Sequence, residues 1–340
     1  MKKSFLSVIM SVYNGDKYLL EAMRSVLNQT YDNFEFIIIN DGSTDNSLSI
    51  INDYIKIDKR IILINRENKG LPYSLNEGII KAKGDYIVRM DSDDICLLDR
   101  FDVQLKYMKK NNLDVCGSYI KVFNEQSNKS IIRQMPITHI DIKVNLLFSS
   151  SLAHPTVMFK KEVFYKVKYN TEYKVSQDYQ LWTDIIKQDF IIGNLPVVLL
   201  NYREHELQAS IEKSKLQQEY ANRIALNYAK ILGKEEERIV KKFINSKNSI
   251  NYKNFKQLIE DVIIFLKNKN VSQDTVQAII KKIYIESTPK SPFKYFIYFK
   301  NKNKKYLKEE FNLFISSFLI LNRNSKLYSY LKLVKNKIKG

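Results

Sequence analysis

The sequence predicts an α/β fold with a mostly parallel central sheet, followed by a helical, basic C-terminal region. In the first 210 residues, short β-branched runs alternate several times with segments whose apolar residues recur at helical spacing. Strands separated by helices in this way form βαβ units, which pair in parallel. From residue 211 onward Gly and Pro become scarce, and Lys, Ile, Leu, Tyr and Asn dominate. We therefore predict two regions, residues 1–210 and residues 211–340.

Five runs predict the strands of the first region: residues 6–12, 34–39, 61–64, 86–88 and 115–122. After the first of them, Leu19, Met23 and Val26 fall on one face of a helix. In parallel sheets, ligands bind outside the carboxyl ends of the strands. The polar clusters after the first, second and fourth strands are therefore the predicted binding loops: residues 13–15, 40–45 and 91–94.

The composition is that of a folded globular protein. Of 340 residues, 44% are hydrophobic and 27% charged, which excludes collagen-like, disordered and many-span membrane proteins. Cys96 and Cys116 are the only cysteines, too few for a disulfide scaffold or a Cys-rich zinc module, so we expect two free thiols. The start of the chain lacks the cleavage site of a secretory signal, and the apolar run 311–321 is shorter than the ~20 residues that span a bilayer. We expect a cytoplasmic protein that lies at most on a membrane surface.

The net charge of +18 is unevenly distributed. Residues 1–210 hold 27 basic and 26 acidic side chains, whereas residues 211–340 hold 28 and 11. Residues 281–340, with 15 basic and 3 acidic side chains interleaved with aromatic residues, suit a peripheral site on an anionic membrane. A Lys-rich helical domain without such a partner is the alternative. Arg323 is the only arginine after residue 280, so nucleic-acid binding is not expected.

The sequence Asp91-Ser92-Asp93-Asp94 follows the fourth predicted strand. In an extended stretch the side chains of Asp91 and Asp93 point the same way, so two carboxylates would converge. Hard oxygen ligands suit Mg²⁺ or Mn²⁺, which leave coordination positions open for phosphate oxygens. This pattern predicts a metal–diphosphate site. The alternative is a solvated acidic turn that caps the helix beginning near Asp99.

The loop after the second strand carries Asp41, close behind the apolar run 36–39. A carboxylate in that place needs a hydrogen-bond donor, such as the imide of a nucleotide base. Ser43 or Thr44 is predicted to cap the following helix. Ser11 and Tyr13, at the end of the first strand, could hydrogen-bond and stack on the same planar ligand, although packing alone also explains an aromatic residue there.

Four ordered motifs carry a resemblance to a known family: residues 8–15 (VIMSVYNG), 40–45 (NDGSTD), 67–70 (ENKG) and 84–94 (GDYIVRMDSDD). Together they resemble the inverting family 2 glycosyltransferases of the GT-A fold. Residues 154–156 (HPT), 177–182 (QDYQLW) and 202–210 (YREHELQAS) resemble the acceptor half of that family. The resemblance covers residues 5–210, with a nucleotide-binding half of about residues 1–125 and an acceptor half of about residues 126–210.

The resemblance implies a role for each matching residue. It assigns the nucleotide sugar, usually UDP-linked in this family, to these residues: Ser11, Tyr13, Asn14, Asp41, Asn68, Asp91 and Ser92. It assigns Mn²⁺ or Mg²⁺ to Asp93 and Asp91, with His205 as a further ligand or a structural histidine. Asp178 would be the catalytic base, for which helix capping is the alternative, and Gln177 stands where the family usually has Glu.

The same residues suit the chemistry of sugar transfer. A cation on the diphosphate makes a better leaving group, and a carboxylate on the opposite face of the sugar activates the acceptor hydroxyl. We therefore predict a metal-dependent inverting hexosyl- or N-acetylhexosaminyltransferase. Its expected acceptor is a glycan or lipid-linked glycan of surface polysaccharide biosynthesis. A polyprenyl-phosphate glycosyltransferase and a nucleotide-binding or nucleic-acid-associated protein without transfer activity are the alternatives.

Overall fold

The computed structural model describes residues 3–125, 129–205, 214–247 and 250–287. The chain divides into two compact units, Met1–Tyr228 and Ala229–Gly340. Most of the predicted membrane-binding region, residues 288–340, lies outside the described residues, as do residues 206–210 of the last motif. The assignment of residues 1–210 as the catalytic domain stays a prediction.

The strands and helices of the first unit alternate along most of its length. Its strands are β1 (Leu6–Val12), β2 (Phe34–Asp41), β3 (Ile61–Arg66), β4 (Tyr86–Met90), β5 (Ile95–Cys96), β6 (Val115–Asn124), β7 (Lys129–Arg133), β8 (Met158–Lys160) and β9 (Ile192–Arg203). Its helices are α1 (Asp16–Leu27), α2 (Ser47–Ile57), α3 (Leu71–Lys81), α4 (Arg100–Lys110), α5 (His139–Asn145) and α6 (Gln177–Lys187), and it also holds most of α7 (Ser214–Leu232).

In the described residues, one sheet contains all nine strands. Its order is β3-β2-β1-β4-β8-β6-β9-β5, with β7 also paired to β6. The first four strands are parallel, in a register that places Leu6 beside both Phe34 and Tyr86. Strands β8, β7 and β5 add antiparallel pairs, while β6 and β9 are parallel.

Both faces of β1, β2 and β4 are covered, which explains why these strands are largely apolar rather than alternating. All eight residues of β2 are buried. Val8 and Met10 pack into a core with residues of α1 and α4, whereas Ile9 points to the other face. There α3 approaches so closely that a Cβ on Gly78 would lie 2.7 Å from a methyl carbon of Ile9.

The register between β6 and β9 shifts near Ser118 and Tyr119, where β9 contains Pro196. Proline lacks the N–H that a ladder needs and is found in sheets at edges and bulges. Beyond this irregularity β9 pairs with β5, so its carboxyl end passes beside the turn between β4 and β5.

The second unit is helical in its described residues. After the end of α7 it contains α8 (Lys234–Ser246), α9 (Tyr252–Asn268) and α10 (Gln273–Glu286). Asn251 and Ser272 cap α9 and α10, each accepting a backbone N–H from its own first turn. Val240, Phe255 and Ile283 are fully or almost fully buried.

The predicted fold class is confirmed, and all five predicted strands are present at their predicted positions. Cys96 and Cys116 are buried free thiols, as expected. Among the described residues, the structure holds no helix with the length and hydropathy that a membrane crossing requires.

Candidate active site

The predicted binding loops meet at one edge of the sheet. The parallel register of β1 with β2 and β4 brings the carboxyl ends of the three strands side by side. Ser92, after β4, also lies against the loop after β1, because a Cβ on Gly15 would be 3.3 Å from the Ser92 Oγ. The prediction that these three loops form one site is consistent with this geometry.

The loops after β1 and β2 are hydrogen-bonded to each other. The Asn14 N–H donates to Ser43 Oγ at 3.1 Å, and Asn14 Oδ1 accepts from the Thr44 N–H at 2.8 Å. The prediction that Ser43 or Thr44 caps α2 is wrong, because both residues serve this junction and the N-cap residue is Asn46. The side-chain carbonyl of Asn14, a predicted contact of the nucleotide sugar, is occupied by the protein itself.

Asp41 is buried and fully provided with donors. Its carboxylate accepts the backbone N–H groups of Lys69 at 2.8 Å and Gly70 at 2.9 Å, and it pairs with the guanidinium of Arg66. Although burial opposes it, hydrogen bonds from Arg66 to Glu77 and Asp41 raise the pKa of that guanidinium. The protein itself therefore supplies the donors that the Asp41 carboxylate needs. The sequence alone had suggested that a nucleotide base supplies them.

Three further predicted nucleotide contacts lie at the ends of β1 and β3, the two strands that flank β2 and Asp41. Tyr13 is 56% exposed, so its ring is open to stacking, while Ser11 is partly buried. The loop carrying Asn68 packs over Gly42, whose φ is +75° and where a Cβ would lie 2.6 Å from the Asn68 backbone nitrogen. Asn68 itself is exposed beside the end of β2.

The turn after β4 gathers three carboxylates. Asp91, Asp93 and Asp94 each offer an oxygen within 4.8 Å of the others. Asp91 and Asp93 are about 30% exposed, at 30% and 29%, whereas Asp94 is buried. Burial and the charge of Asp91 raise the pKa of Asp93, against a hydrogen bond from His205. Burial and the charges of Asp91 and Asp93 raise the pKa of Asp94 well above its usual range.

Two buried arginines hold this acidic turn from either side. The guanidinium of Arg89, on β4, pairs with Asp91, and its Nε and Nη1 atoms are buried without a hydrogen-bond partner among the described residues. Arg203, at the end of β9, donates its backbone N–H to Asp94 Oδ1 at 2.9 Å and its Nε–H to the Asp93 carbonyl at 2.9 Å. The same guanidinium pairs with Glu21 at 2.5 Å.

His205 also lies at the turn. Its Nε2 is 3.1 Å from Asp93 Oδ2, and its ring packs against Tyr18 with centroids 5.0 Å apart. The contact places His205 beside one predicted metal ligand, so the structure is compatible with both a metal-binding and a structural role.

The acidic turn fits a divalent cation. Within the described residues, Asp94 Oδ2 is buried without a hydrogen-bond partner, and all three donors are carboxylates, which suit Mg²⁺ and Mn²⁺. A cation among these oxygens would offset the repulsion that raises the pKa of Asp93 and Asp94. The sequence did not assign Asp94 to the metal, although it lies in the same motif.

Asp178 lies in the first turn of α6 and is half-buried. Its Oδ2 accepts a long hydrogen bond of 3.4 Å from the Ser150 hydroxyl. Burial raises the pKa of Asp178 against hydrogen bonds from the Tyr179 backbone and Ser150, and the charge of Asp91 adds to the rise. Residues 154–156 link the two places, because they pack on β4, which leads into the acidic turn, and the ring of His154 contacts Trp182 on the helix of Asp178.

Sequence reasoning missed several polar residues of this site. Three of them are arginines at or near strand ends, next to acidic motifs: Arg66, Arg89 and Arg203. This position in the sequence is the signal that could have identified them as ion-pair partners of the site. His154 was noticed only as part of a motif. Its partners, Tyr169 and Trp182, come from segments that no local pattern connects to it.

The fold and site define a class of protein, an α/β enzyme with an acidic, metal-compatible turn at the carboxyl edge of a parallel sheet. The chain belongs to glycosyltransferase family 2. The family model "Glycosyl transferase family 2" matches residues 7–168. The prediction of a glycosyltransferase from this family is confirmed.

Two relatives support the same assignment. An uncharacterized glycosyltransferase of Haemophilus influenzae is 35% identical over 231 residues, which cover 64% of this chain and 71% of that protein. The O-antigen biosynthesis glycosyltransferase WbnJ of Escherichia coli is 38% identical over 215 residues, 62% of this chain and 83% of that protein.

Solved structures share the fold. Residues 1–349 of S. aureus TarS, in complex with UDP-GlcNAc, align with a TM-score of 0.54 at 14% identity, covering 92% of this chain and 81% of that one. The mannosyltransferase PcManGT from Pyrobaculum calidifontis, in complex with GDP-Man and Mn²⁺, aligns with a TM-score of 0.53 at 14% identity, covering 81% and 78%.

Proposed function

We propose that this enzyme transfers a hexosyl or N-acetylhexosaminyl group from a UDP-sugar to a hydroxyl of a glycan or lipid-linked glycan. The observation that carries the proposal is the position of Asp91. Its carboxylate belongs to the acidic cluster of the β4–β5 turn, and it pairs with Arg89 of β4, the strand that packs on residues 154–156 beside α6. A donor held at the turn would thus present its sugar toward a carboxylate on another element.

On the donor side, Asp91 and Asp93 would hold Mn²⁺ or Mg²⁺, with Asp94 as a further oxygen ligand and His205 next to Asp93. The metal, when bound, supplies positive charge to the diphosphate leaving group. Tyr13 would stack on the base, with Ser11, Asn68 and Ser92 around the nucleotide, while Asn14 and Asp41 would shape the loops that hold it. Arg89 orients Asp91 by pairing with it.

On the acceptor side, Asp178 would take the proton of the attacking hydroxyl at a carboxylate oxygen. Its raised pKa makes it a stronger base than an exposed aspartate, and Ser150 holds Oδ2. Attack from the face opposite to the leaving diphosphate inverts the anomeric centre. The family usually has a glutamate before this aspartate, but here the residue is the uncharged Gln177. Asp178 would therefore act as the base without a neighbouring carboxylate.

The pathway proposed is bacterial surface polysaccharide synthesis. Support comes from the relative WbnJ, named for O-antigen biosynthesis, which aligns over most of its length. A cytoplasmic location at the inner face of the membrane follows if the acceptor is lipid-linked. Attachment through residues 281–340 stays a prediction, since residues 288–340 lie outside the described part of the chain.

The first test is thermal stabilisation of the purified protein by UDP, GDP, CDP and ATP, each with and without Mn²⁺. A ligand that binds the native state raises its stability by mass action. We expect a shift with UDP that requires Mn²⁺. A shift with GDP instead would reject the UDP assignment, and no shift with any nucleotide would reject the donor site. A positive result is followed by measuring UDP release from UDP-sugars with p-nitrophenyl glycosides as acceptors.

A further inference from the structure

A second polar cluster lies beside Asp178. The Nε2 atom of His154 is 2.7 Å from the Tyr169 hydroxyl, and the edge of the imidazole packs on Trp182, with ring centroids 5.9 Å apart. Trp182 is one turn after Asp178 on α6, so the two side chains share a face of that helix. His154 and Ser150, the partner of Asp178, belong to the same segment of chain.

The backbone of this segment is firmly held. The Ser151 carbonyl accepts from Asn194 Nδ2 at 3.0 Å. Thr156 Oγ1 accepts from the Ser118 N–H at 3.1 Å, and the Thr156 carbonyl accepts from Gln104 Nε2 at 2.7 Å. Because both flanks of His154 are tied to buried residues, its ring has a fixed place next to α6, as a substrate-binding group requires.

The protonation state of His154 follows from its neighbours. Burial and the charge of Arg89 lower the pKa of His154 well below its usual range, so the imidazole is neutral. The buried Tyr169 hydroxyl has no other acceptor among the described residues, so it donates to Nε2. The single ring proton of His154 is therefore on Nδ1.

The Nδ1 atom is the part of this cluster that remains available. It bonds to no described residue, and the histidine as a whole is only partly buried. The Tyr169 hydroxyl, on the opposite side of the ring, lies within range of the charges of both Asp91 and Asp178. The segment of His154 packs on β4, which leads into the acidic turn, and its ring contacts α6, which carries the predicted base.

We propose that His154 is an acceptor-binding residue whose Nδ1–H donates to an oxygen of the acceptor sugar beside the hydroxyl that Asp178 deprotonates. The acceptor is favoured over the donor sugar because the contacts of His154 are with α6 and with the segment of Ser150, the elements that hold Asp178. This inference rests on the proposed function. Tyr169 is the positioning residue that fixes the proton on Nδ1.

The first experiment reads the tautomer directly. Nitrogen-15 NMR of histidine-labelled protein, with the His154 signals assigned through their loss in His154→Gln, should show a neutral ring protonated on Nδ1. Tyr169→Phe removes the donor to Nε2 and should shift the population toward the Nε2–H form. A wild-type ring protonated on Nε2 would overturn the proposal, whatever the acceptor is.

The second experiment measures transfer to p-nitrophenyl glycosides and hydrolysis of the same UDP-sugar by water. His154→Gln should lower kcat/KM for the acceptor about tenfold, the size of one neutral hydrogen bond. Hydrolysis and the thermal shift by UDP with Mn²⁺ should not change. His154→Asn, whose amide N–H lies near the place of Nδ1, should retain more transfer than His154→Gln. His139→Gln, on α5, is the matched control.

Equal kcat/KM for His154→Gln and wild type would overturn the inference, as would an equal loss of transfer and hydrolysis. These results are distinguishable from a failure of the proposed function. In that case UDP with Mn²⁺ would not stabilise the wild-type protein, or Asp178→Asn would keep full transfer.

Discussion

The junction of the β1 and β2 loops and the acidic turn after β4 lie at the same edge of the sheet, yet their polar groups are satisfied differently. At the junction, Asn14 and Asp41 are bonded to protein donors and acceptors. At the turn, three carboxylates crowd together, and Asp94 keeps a buried oxygen without a partner in the described structure.

This difference indicates two roles for the polar groups at this edge of the sheet. A polar group already paired within the protein fixes the shape of a loop, and a ligand gains only what remains open around it. Crowded like charges destabilise the free protein and are relieved when a cation binds. The junction is therefore expected to contribute shape and stability, whereas the turn contributes binding and catalysis.

The largest effect is expected from Asp93→Ala, which removes a carboxylate from the turn. Without it the remaining ligands should bind Mn²⁺ too weakly for turnover, so both transfer and the Mn²⁺-dependent stabilisation by UDP should be lost. Calorimetric titration with Mn²⁺ and UDP-release assays measure the two effects. Asp99→Ala, which removes an exposed carboxylate nearby, should behave as wild type. Normal Mn²⁺ affinity in the Asp93 variant would show that the turn is not the metal site.

Asp178→Asn should lower transfer by roughly 10²–10⁴, the usual contribution of a general base, while UDP still binds with Mn²⁺. Because burial raises the pKa of Asp178, the acid limb of wild-type kcat should lie above the normal aspartate range. Asp184→Asn, on the same helix, is the control. Initial rates across pH provide the measurement, and near-full activity of the Asp178 variant would contradict the base assignment.

Asp94→Asn tests whether the turn is destabilised by its own charge. A carboxyl with a raised folded pKa adds stability at low pH and loses that contribution as pH rises through the folded pKa. Without metal, the variant should therefore have a higher Tm than wild type at neutral pH, and this difference should shrink as the pH falls toward 4. Scanning calorimetry of both proteins checks it. A lower Tm for the variant at neutral pH would indicate that Asp94 is a stabilising group.

Asn14→Ala should have the smallest effect on chemistry. It removes the acceptor for the Thr44 N–H and should cost about 0.5–1.5 kcal/mol of stability, the net contribution of one hydrogen bond, because the exposed Thr44 can bond to water instead. Once the variant is folded, its kcat should stay near that of wild type. Denaturant unfolding and UDP-release kinetics separate the two quantities. A large loss of kcat with unchanged stability would instead place Asn14 in contact with the nucleotide sugar.

Most of the parallel half of the fold was predictable because β1, β2 and β4 are buried on both faces and therefore contain continuous apolar runs such as residues 36–39. Strands β5 and β8 contain two and three residues, too few to show a period. Strand β9 contains Pro196 near a shift in its register with β6. The strand therefore lacks the regular alternation by which strands are predicted from sequence.

The acidic turn was predictable because its residues are contiguous and follow a strand. What sequence could not show is the pairing of Asp41 with Arg66, 25 residues away, or of Asp94 with Arg203, 109 residues away. A buried group finds its partner through the tertiary fold, and one sequence has no local signal for it. The prediction for Asp41 started correctly from the need of a buried carboxylate for hydrogen-bond donors. The sequence does not show that Arg66, Lys69 and Gly70 supply those donors.

The contacts of Arg203 have a consequence for the order in which the enzyme is assembled. This residue joins the acidic turn to Glu21, 182 residues earlier in the chain. At ordinary translation rates the ribosome adds the 109 residues between Asp94 and Arg203 in roughly 5–20 s. Throughout that interval the nascent chain already carries every acidic residue of the turn, but not the strand that holds them together. The site is thus completed from its C-terminal side, by a strand that lies beyond the residues matched by the family model.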